Sequence, residues 1–176
     1  MYETLLSKYG VRQLGFYVKS IEETAAFMAK HLGAGPFFDM GVNEPAKLQL
    51  HGADCKSLTR CALGHMNDVQ VELIEPANDE PSVYTEAGGF GLHHICLWTD
   101  DLAKTIEEFK AEGVEVAMEM VSGQGLPVVY LDTVEELGVY VEVNPPLDQL
   151  YQGIKMQHEK WDGTRPLRSV AELMGK

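Results

Sequence analysis

The sequence contains one pattern twice, and this internal repeat constrains the fold more than any other feature. The first copy starts with the alternating segment 11–19, VRQLGFYVK, followed by 21–32, IEETAAFMAKHL, which has helical spacing. The second copy starts with 92–99 and continues into 102–112, LAKTIEEFKAE. Glycine follows each helical segment, as expected at a helix C-terminus. A strand followed by a helix is therefore predicted twice.

Each copy ends in a β-branched strand of the form VxVE followed by proline, at 69–76 and again at 139–146. Between the helix and this strand, each copy has room for two more strands, at 36–40 and part of 47–66 in the first and at 114–118 and 127–132 in the second. Each copy thus has the order βαβββ, and neither covers its own sheet alone. The predicted fold is α+β, with two tandem βαβββ modules forming a curved eight-stranded mixed sheet around one cleft.

A single domain is expected over residues 1–176. Module one covers 11–76 and module two covers 91–146, while the Pro, Gly, Asn and Asp content of 77–90 is typical of a linker. Residues 147–176 lie outside the repeat and are predicted to be a helical extension that covers the site or braces a dimer.

Charge and hydropathy exclude several classes of partner. Lys and Arg number 14 against 27 Asp and Glu, the net charge is −13, and no basic cluster could follow a phosphate backbone. No apolar run approaches the roughly 20 residues of a membrane span, and the start lacks the pattern of a signal peptide. We therefore expect no nucleic-acid or membrane partner and a cytoplasmic location. The three cysteines support neither a disulfide framework nor a thiolate zinc site.

Two adjacent histidines, His93 and His94, lie in the predicted strand GLHHICLW. Because successive strand residues point to opposite faces, only one histidine is expected on each face. His93 falls in the apolar row that should pack on helices, and His94 falls in a mixed row. The mixed rows of the four key strands contain Gln13, Tyr17, Gln70, Glu72, His94, Cys96, Trp98, Tyr140, Glu142 and Asn144.

The repeat singles out four members of these rows as candidate metal ligands. Gln13 and His94 are equivalent at the start of a strand, and Glu72 and Glu142 are equivalent near the end of one. Two carboxylates on one curved sheet repel each other unless a cation neutralises them. One amide oxygen, one imidazole and two carboxylates suit a six-coordinate divalent ion with open positions. The alternative is a solvent-exposed sheet face with no function.

Residues 11–146 also resemble the vicinal oxygen chelate superfamily, which includes glyoxalase I, methylmalonyl-CoA epimerase and the extradiol dioxygenases. The similarity lies in RQLGFYV, VQVELIEP, GLHHICLWTDDL and VVYLDT…LGVYVEV. It implies paired βαβββ modules and selects Gln13, Glu72, His94 and Glu142 as metal ligands. This set is similar to that of eukaryotic glyoxalase I, whereas VELIEPANDEPSVY…GLHHI is more similar to the epimerase-related branch.

The implied function is that of a divalent-metal-dependent isomerase or lyase of the glyoxalase-epimerase type. The ion, which is zinc, nickel, cobalt, manganese or iron, would stabilise an enediolate, and Glu142 or Glu72 would remove a proton next to a carbonyl of a small organic substrate. A homodimer is expected. The alternatives are an extradiol-type dioxygenase, disfavoured by Gln13 at the first ligand position, and a non-catalytic small-molecule-binding protein.

Three aromatic residues are candidates for substrate binding. Tyr17 and Trp98 are equivalent under the repeat and lie in the mixed rows, where aromatic side chains suit the wall of a pocket. Tyr130 shares a strand face with Asp132 and is a candidate proton donor or substrate contact. Ordinary core packing is the alternative for all three.

Overall fold

Strands of the two modules and one strand of the C-terminal extension form one continuous sheet of eleven strands within the described residues. A computed structural model describes residues 4–175. The strands are β1 Val11–Tyr17, β2 Phe37–Asn43, β3 Lys47–Leu50, β4 Ala53–Asp54, β5 Thr59–Met66, β6 Val69–Pro76, β7 Gly91–Trp98, β8 Val116–Val121, β9 Pro127–Leu131, β10 Tyr140–Asn144 and β11 Leu167–Ser169. The α-helices are α1 Ile21–Leu32, α2 Val83–Glu86, α3 Leu102–Ala111, α4 Val134–Leu137, α5 Asp148–Glu159 and α6 Val170–Leu173, and a 3₁₀ helix covers Leu5–Lys8.

The strand order is β11-β2-β5-β6-β1-β7-β10-β9-β8-β3-β4. Each module repeats one arrangement, in which its first strand pairs in parallel with its last strand, β1 with β6 and β7 with β10. The two first strands, β1 and β7, then pair with each other in antiparallel orientation at the centre of the sheet. The symmetry of the sequence repeat therefore becomes a symmetry of the sheet about the β1–β7 pair.

The prediction of eight strands is wrong by three, because short strands extend both edges. The hairpin of β3 and β4 pairs with the edge of module two along β8, although its residues belong to module one. Strand β11, from the C-terminal extension, pairs with β2 at the opposite edge. These additions pair backbone groups that an open edge would expose.

Helices α1 and α3 cover the outer face, as the periodicity predicts. Ser20 caps α1 by accepting a hydrogen bond from the Glu23 amide, and Asp101 caps α3 in the same way from the Lys104 amide. Apolar residues of α1 pack on strands of module one, and those of α3 pack on strands of module two. The inner face of the sheet is thereby left for the cleft. Within residues 4–175, no helix combines the length and hydrophobicity that crossing a membrane requires.

Helix α5 of the C-terminal extension packs on the inner face at one end of the cleft. Ile154 is fully buried against Phe38 and Leu63, and Tyr151 packs on Cys96 and Trp98. Leu147 and Leu150 complete the wall of the cavity described below. The extension therefore contributes to one end of the cavity, while its roles in covering a bound substrate or bracing a dimer stay predictions.

Ile154→Ala should destabilise the protein by about 2–5 kcal/mol, because it removes a fully buried aliphatic side chain and leaves a cavity under α5. Met156→Ala is the matched control on the same helix, since Met156 is 51% exposed and its truncation should change stability by less than about 0.5 kcal/mol. Urea unfolding followed by circular dichroism measures both. Equal unfolding midpoints for the two variants would show that α5 is not docked.

Candidate metal centre

A β-bulge at His93 places both adjacent histidines on the cleft side of β7. Gly15 of β1 pairs with His94, but the next residue of β1, Phe16, pairs with Leu92, so His93 is an extra residue in its strand. The His93 and His94 Nδ1 atoms lie 3.2 Å apart. The His93 ring also contacts the rings of Tyr84 and Tyr130, which line the cleft, and the buried ring of Tyr140. The prediction that His93 faces the helices is wrong, because strict alternation does not hold across a bulge.

The equivalent position in module one, Arg12, is also an extra residue. Val11 pairs with Leu97 and Gln13 pairs with the adjacent residue Cys96, so Arg12 has no pairing partner on β7. The Arg12 guanidinium lies over the ring of Trp98, 5.2 Å from its centroid. Each module therefore has a bulge immediately before its first candidate ligand.

Three of the four candidate ligands converge on one point. Single ligand atoms of Glu72, His94 and Glu142 all lie within 4.8 Å of one another. His94 Nε2 lies 3.3 Å from Glu142 Oε2 and 3.5 Å from Glu72 Oε2. Gln13 lines the same cavity, where its Nε2 donates a hydrogen bond to Gln70 Oε1 at 3.0 Å. Coordination by Gln13 remains a prediction.

Gly15 makes this convergence possible, and the sequence analysis missed it. In β1 this residue lies between Glu72 on one side and His94 on the other. A Cβ atom at Gly15 would lie only 1.9 Å from Cε1 of His94. The imidazole therefore occupies space that any other residue would fill. Glycine inside a strand is itself a signal of such a close approach.

The electrostatics of the cluster reflect burial opposed by charge pairing. Burial alone would lower the pKa of His94, but the carboxylates of Glu142 and Glu72 outweigh it and raise the pKa. Burial raises the pKa of Glu142, and Glu72 adds to this shift while His94 opposes it. Asn144 Nδ2 donates a hydrogen bond to Glu142 Oε1 at 3.0 Å and so fixes the carboxylate.

The residues present fit a divalent cation. His94 is fully buried, yet its Nε2 makes no hydrogen bond within the described chain, although it faces two carboxylates. Buried polar atoms are rarely left without a partner. With an ion in place of the imidazole proton, one imidazole nitrogen and two carboxylate oxygens form a donor set that zinc, manganese or similar ions accept.

A cavity of about 600 Å³ opens above this cluster. Trp98 and Tyr130 line it, as the sequence analysis proposed. Tyr17 does not belong to its wall, because it stacks on Tyr84 and Phe90 in the core beside the cavity.

The linker contributes a wall residue that the sequence analysis missed. Helix α2 lies within segment 77–90 and buries Val83 and Tyr84. The Tyr84 side chain lines the cavity, and its hydroxyl lies 3.0 Å from that of Tyr130. The capping box of Ser82 and Thr85 gives this short helix its start. The S-x-x-T pattern of Ser82 and Thr85, with the apolar pair Val83 and Tyr84 inside it, was the available signal in the sequence.

Comparison with known proteins identifies the family. The model of the glyoxalase/bleomycin resistance protein/dioxygenase superfamily matches residues 12–130, which is more than half of the chain. The chain belongs to this superfamily. The resemblance inferred from the sequence motifs is therefore confirmed, and so is the glyoxalase-like class of fold.

Several similar members of the superfamily are methylmalonyl-CoA epimerases. The mitochondrial enzyme of Dictyostelium discoideum is 29% identical over 111 residues, covering 60% of this chain and 63% of that protein, slightly under two thirds. The mitochondrial enzyme of Bos taurus is 22% identical over 157 residues, covering 70% and 85%. The solved epimerase of Mycobacterium tuberculosis has a similar fold, with a TM-score of 0.57 at 17% identity over 86% of this chain and 96% of that chain.

Proposed function

We propose that this protein is a divalent-metal-dependent epimerase or isomerase that removes a proton from a carbon next to a carbonyl. The observation that carries the proposal is the buried convergence of Glu72, His94 and Glu142 at the base of a cavity of about 600 Å³. The methylmalonyl-CoA epimerases among its relatives support this reaction class and make methylmalonyl-CoA the first substrate to test.

Glu72, His94 and Glu142 would hold the ion, with Gln13 as the fourth protein ligand. When bound, a divalent ion polarises a carbonyl oxygen and neutralises the negative charge that develops there after proton removal. Four protein ligands leave positions open to substrate oxygens if the ion is six-coordinate.

Glu142 is the proposed proton acceptor. Gln13 has no titratable proton, and the Nε2 lone pair of His94 would be occupied by the ion. A carboxylate that binds the ion through one oxygen would keep its other oxygen to accept a proton. Glu142 is 5% exposed, and burial raises the pKa of its carboxylate, which favours proton uptake. Glu72, which is equivalent to Glu142 under the repeat, lies on the other side of His94. It is the candidate to return a proton to the opposite face of the substrate α-carbon.

The walls hold the rest of the substrate. Trp98 on β7 and Tyr130 on β9, both from module two, line the cavity. Apolar side chains add to the wall: Met40, Met120, Leu126 and Val128. Among the described residues of this wall, none is lysine or arginine. We therefore propose that the cavity itself binds the reacting acyl end of a substrate, and smaller carbonyl acids belong in the assay beside the thioester.

Metal removal should abolish exchange of the substrate α-proton. The purified protein is stripped with a chelator and incubated in deuterated water with methylmalonyl-CoA or with a small carbonyl acid. Zinc, nickel, cobalt, manganese and ferrous ions are then added back separately. Mass spectrometry measures the deuterium incorporated at the α-carbon of the substrate. We expect incorporation only in the samples to which a metal ion has been added back. Full exchange by the stripped protein, or no exchange on any of these substrates by a protein that binds the metal, would contradict the proposed function.

A further inference from the structure

His93 and His94 form a chain of hydrogen bonds that starts at a backbone carbonyl and ends at the candidate metal centre. His93 Nε2 lies 3.2 Å from the carbonyl oxygen of Val83, in the short linker helix. His93 Nδ1 lies 3.2 Å from His94 Nδ1. The remaining nitrogen, His94 Nε2, is buried, has no hydrogen bond to any of residues 4–175 and faces the carboxylates of Glu72 and Glu142.

This chain has only one consistent arrangement of hydrogens when both rings are neutral. A carbonyl oxygen can only accept, so His93 Nε2 must carry a hydrogen and donate it to Val83. A neutral imidazole has one N–H, so His93 Nδ1 is then an acceptor. The hydrogen between the two Nδ1 atoms must therefore belong to His94. His94 Nε2 is left with a free lone pair directed between the two carboxylates.

The surroundings of His93 favour the neutral ring. His93 is 2% exposed, and its contacts are the rings of Tyr84, Tyr130 and Tyr140. The carboxylates of the site pair with His94 instead. A positive charge on His93 would thus be buried beside aromatic rings without an ion pair, which is costly.

We infer that His93 is a positioning residue that holds His94 in the Nδ1–H tautomer, so that the Nε2 lone pair is free to bind the ion. The inference rests on the proposed metal centre. It assigns a role to both adjacent histidines, to the bulge that brings their rings to the same side, and to the linker carbonyl that fixes the first ring. Metal-bound histidines commonly depend on such a partner at their second nitrogen.

The metal-free protein provides the first test. In protein labelled with ¹⁵N at histidine, the ring nitrogen shifts should show hydrogen on Nδ1 of His94 and on Nε2 of His93. A scalar coupling between the two Nδ1 atoms should report the hydrogen bond directly. A His94 ring without hydrogen on Nδ1 would overturn the inference, whereas a proton on Nε2, which faces two carboxylates in the metal-free protein, leaves the Nδ1 hydrogen bond in place. Absence of metal binding by the wild-type protein would refute the proposed function alone, because the tautomers are measured without metal.

Variants at His93 provide the second test. His93→Phe keeps a planar ring for packing but removes the acceptor, so zinc should bind about 10- to 100-fold more weakly in a competition titration. His93→Asn places an amide oxygen near the position of Nδ1 and should recover most of the affinity and the Nδ1–H tautomer of His94. The control is His51→Phe, at an exposed histidine paired with Glu86, which should change neither.

Wild-type zinc affinity in a folded His93→Phe variant would overturn the inference, and so would equal losses in His93→Phe and His93→Asn. If His93→Phe does not fold, the wild-type tautomers and the behaviour of His93→Asn decide the question.

Discussion

Glu142→Gln is expected to lower the rate of α-proton exchange by about 10²- to 10⁴-fold, the usual contribution of a general base. The substitution keeps the shape of the side chain and one oxygen donor but removes the group that accepts the proton. Metal content should therefore fall much less than activity. The measurement combines deuterium incorporation into the substrate with metal analysis of the purified variant.

Two further substitutions define what the Glu142 result means. Glu72→Gln tests the repeat mate, and its exchange rate shows which carboxylate takes the first proton. Glu135→Gln changes an exposed glutamate on α4 and should leave exchange and metal content unchanged. If Glu142→Gln and Glu72→Gln both retain full exchange, neither carboxylate is the base. Tyr130, which lies on the cavity wall, then becomes the next candidate.

The symmetry of the candidate site was predictable from the sequence because a repeat restricts both pairing and side-chain direction. Equivalent residues in two βαβββ modules occupy equivalent positions in a symmetric sheet. The equivalence of Glu72 with Glu142 therefore indicated that both lie near the central strands. Alternation then selected the correct face for these two carboxylates and for Cys96 and Trp98, all of which line the cavity.

The side of His93 was not predictable by the same means. Alternation along a strand assumes that every residue has one partner, whereas a bulge depends on how two strands match each other. Strands β1 and β7 lie far apart in sequence, and nothing within GLHHICLW alone indicates the extra residue. The repeat offered a later check, since Arg12 and His93 occupy equivalent positions and are both extra residues.

The buried part of the linker and the short strands at the sheet edges were not predicted, for a different reason. Segment 77–90 has the composition of a turn-rich connection, yet Tyr84 within it is buried and lines the cavity. Strand β4 has two residues and β11 has three, too few for any alternation to be recognised. Their conformation is set by the open edges of the large sheet, which only the assembled fold provides.

Gly15→Ala is expected to eliminate most metal binding, although it adds only one methyl group outside the ligand set. The new Cβ would overlap the His94 ring, whose three nearest atoms would lie 1.9, 2.2 and 2.4 Å away. The ring is fully buried, and a shift that relieves this overlap would move its Nε2 away from the carboxylates. Displacement of one ligand should weaken zinc affinity by at least about 10- to 100-fold, the range seen when the support of a ligand is lost. Competition titration measures this affinity, with circular dichroism as the check on folding.

The matched control is Gly153→Ala, at a glycine in the middle of α5. A Cβ there would meet no atom within 4 Å, and alanine is the better helix former by about 0.8–1.0 kcal/mol. This variant should keep wild-type zinc affinity and unfold at the same or a higher urea concentration. A folded Gly15→Ala variant that binds zinc as tightly as Gly153→Ala would show that zinc binding does not require the position of the His94 ring against Gly15. The ion, if bound, would then have to be held by a different set of ligands.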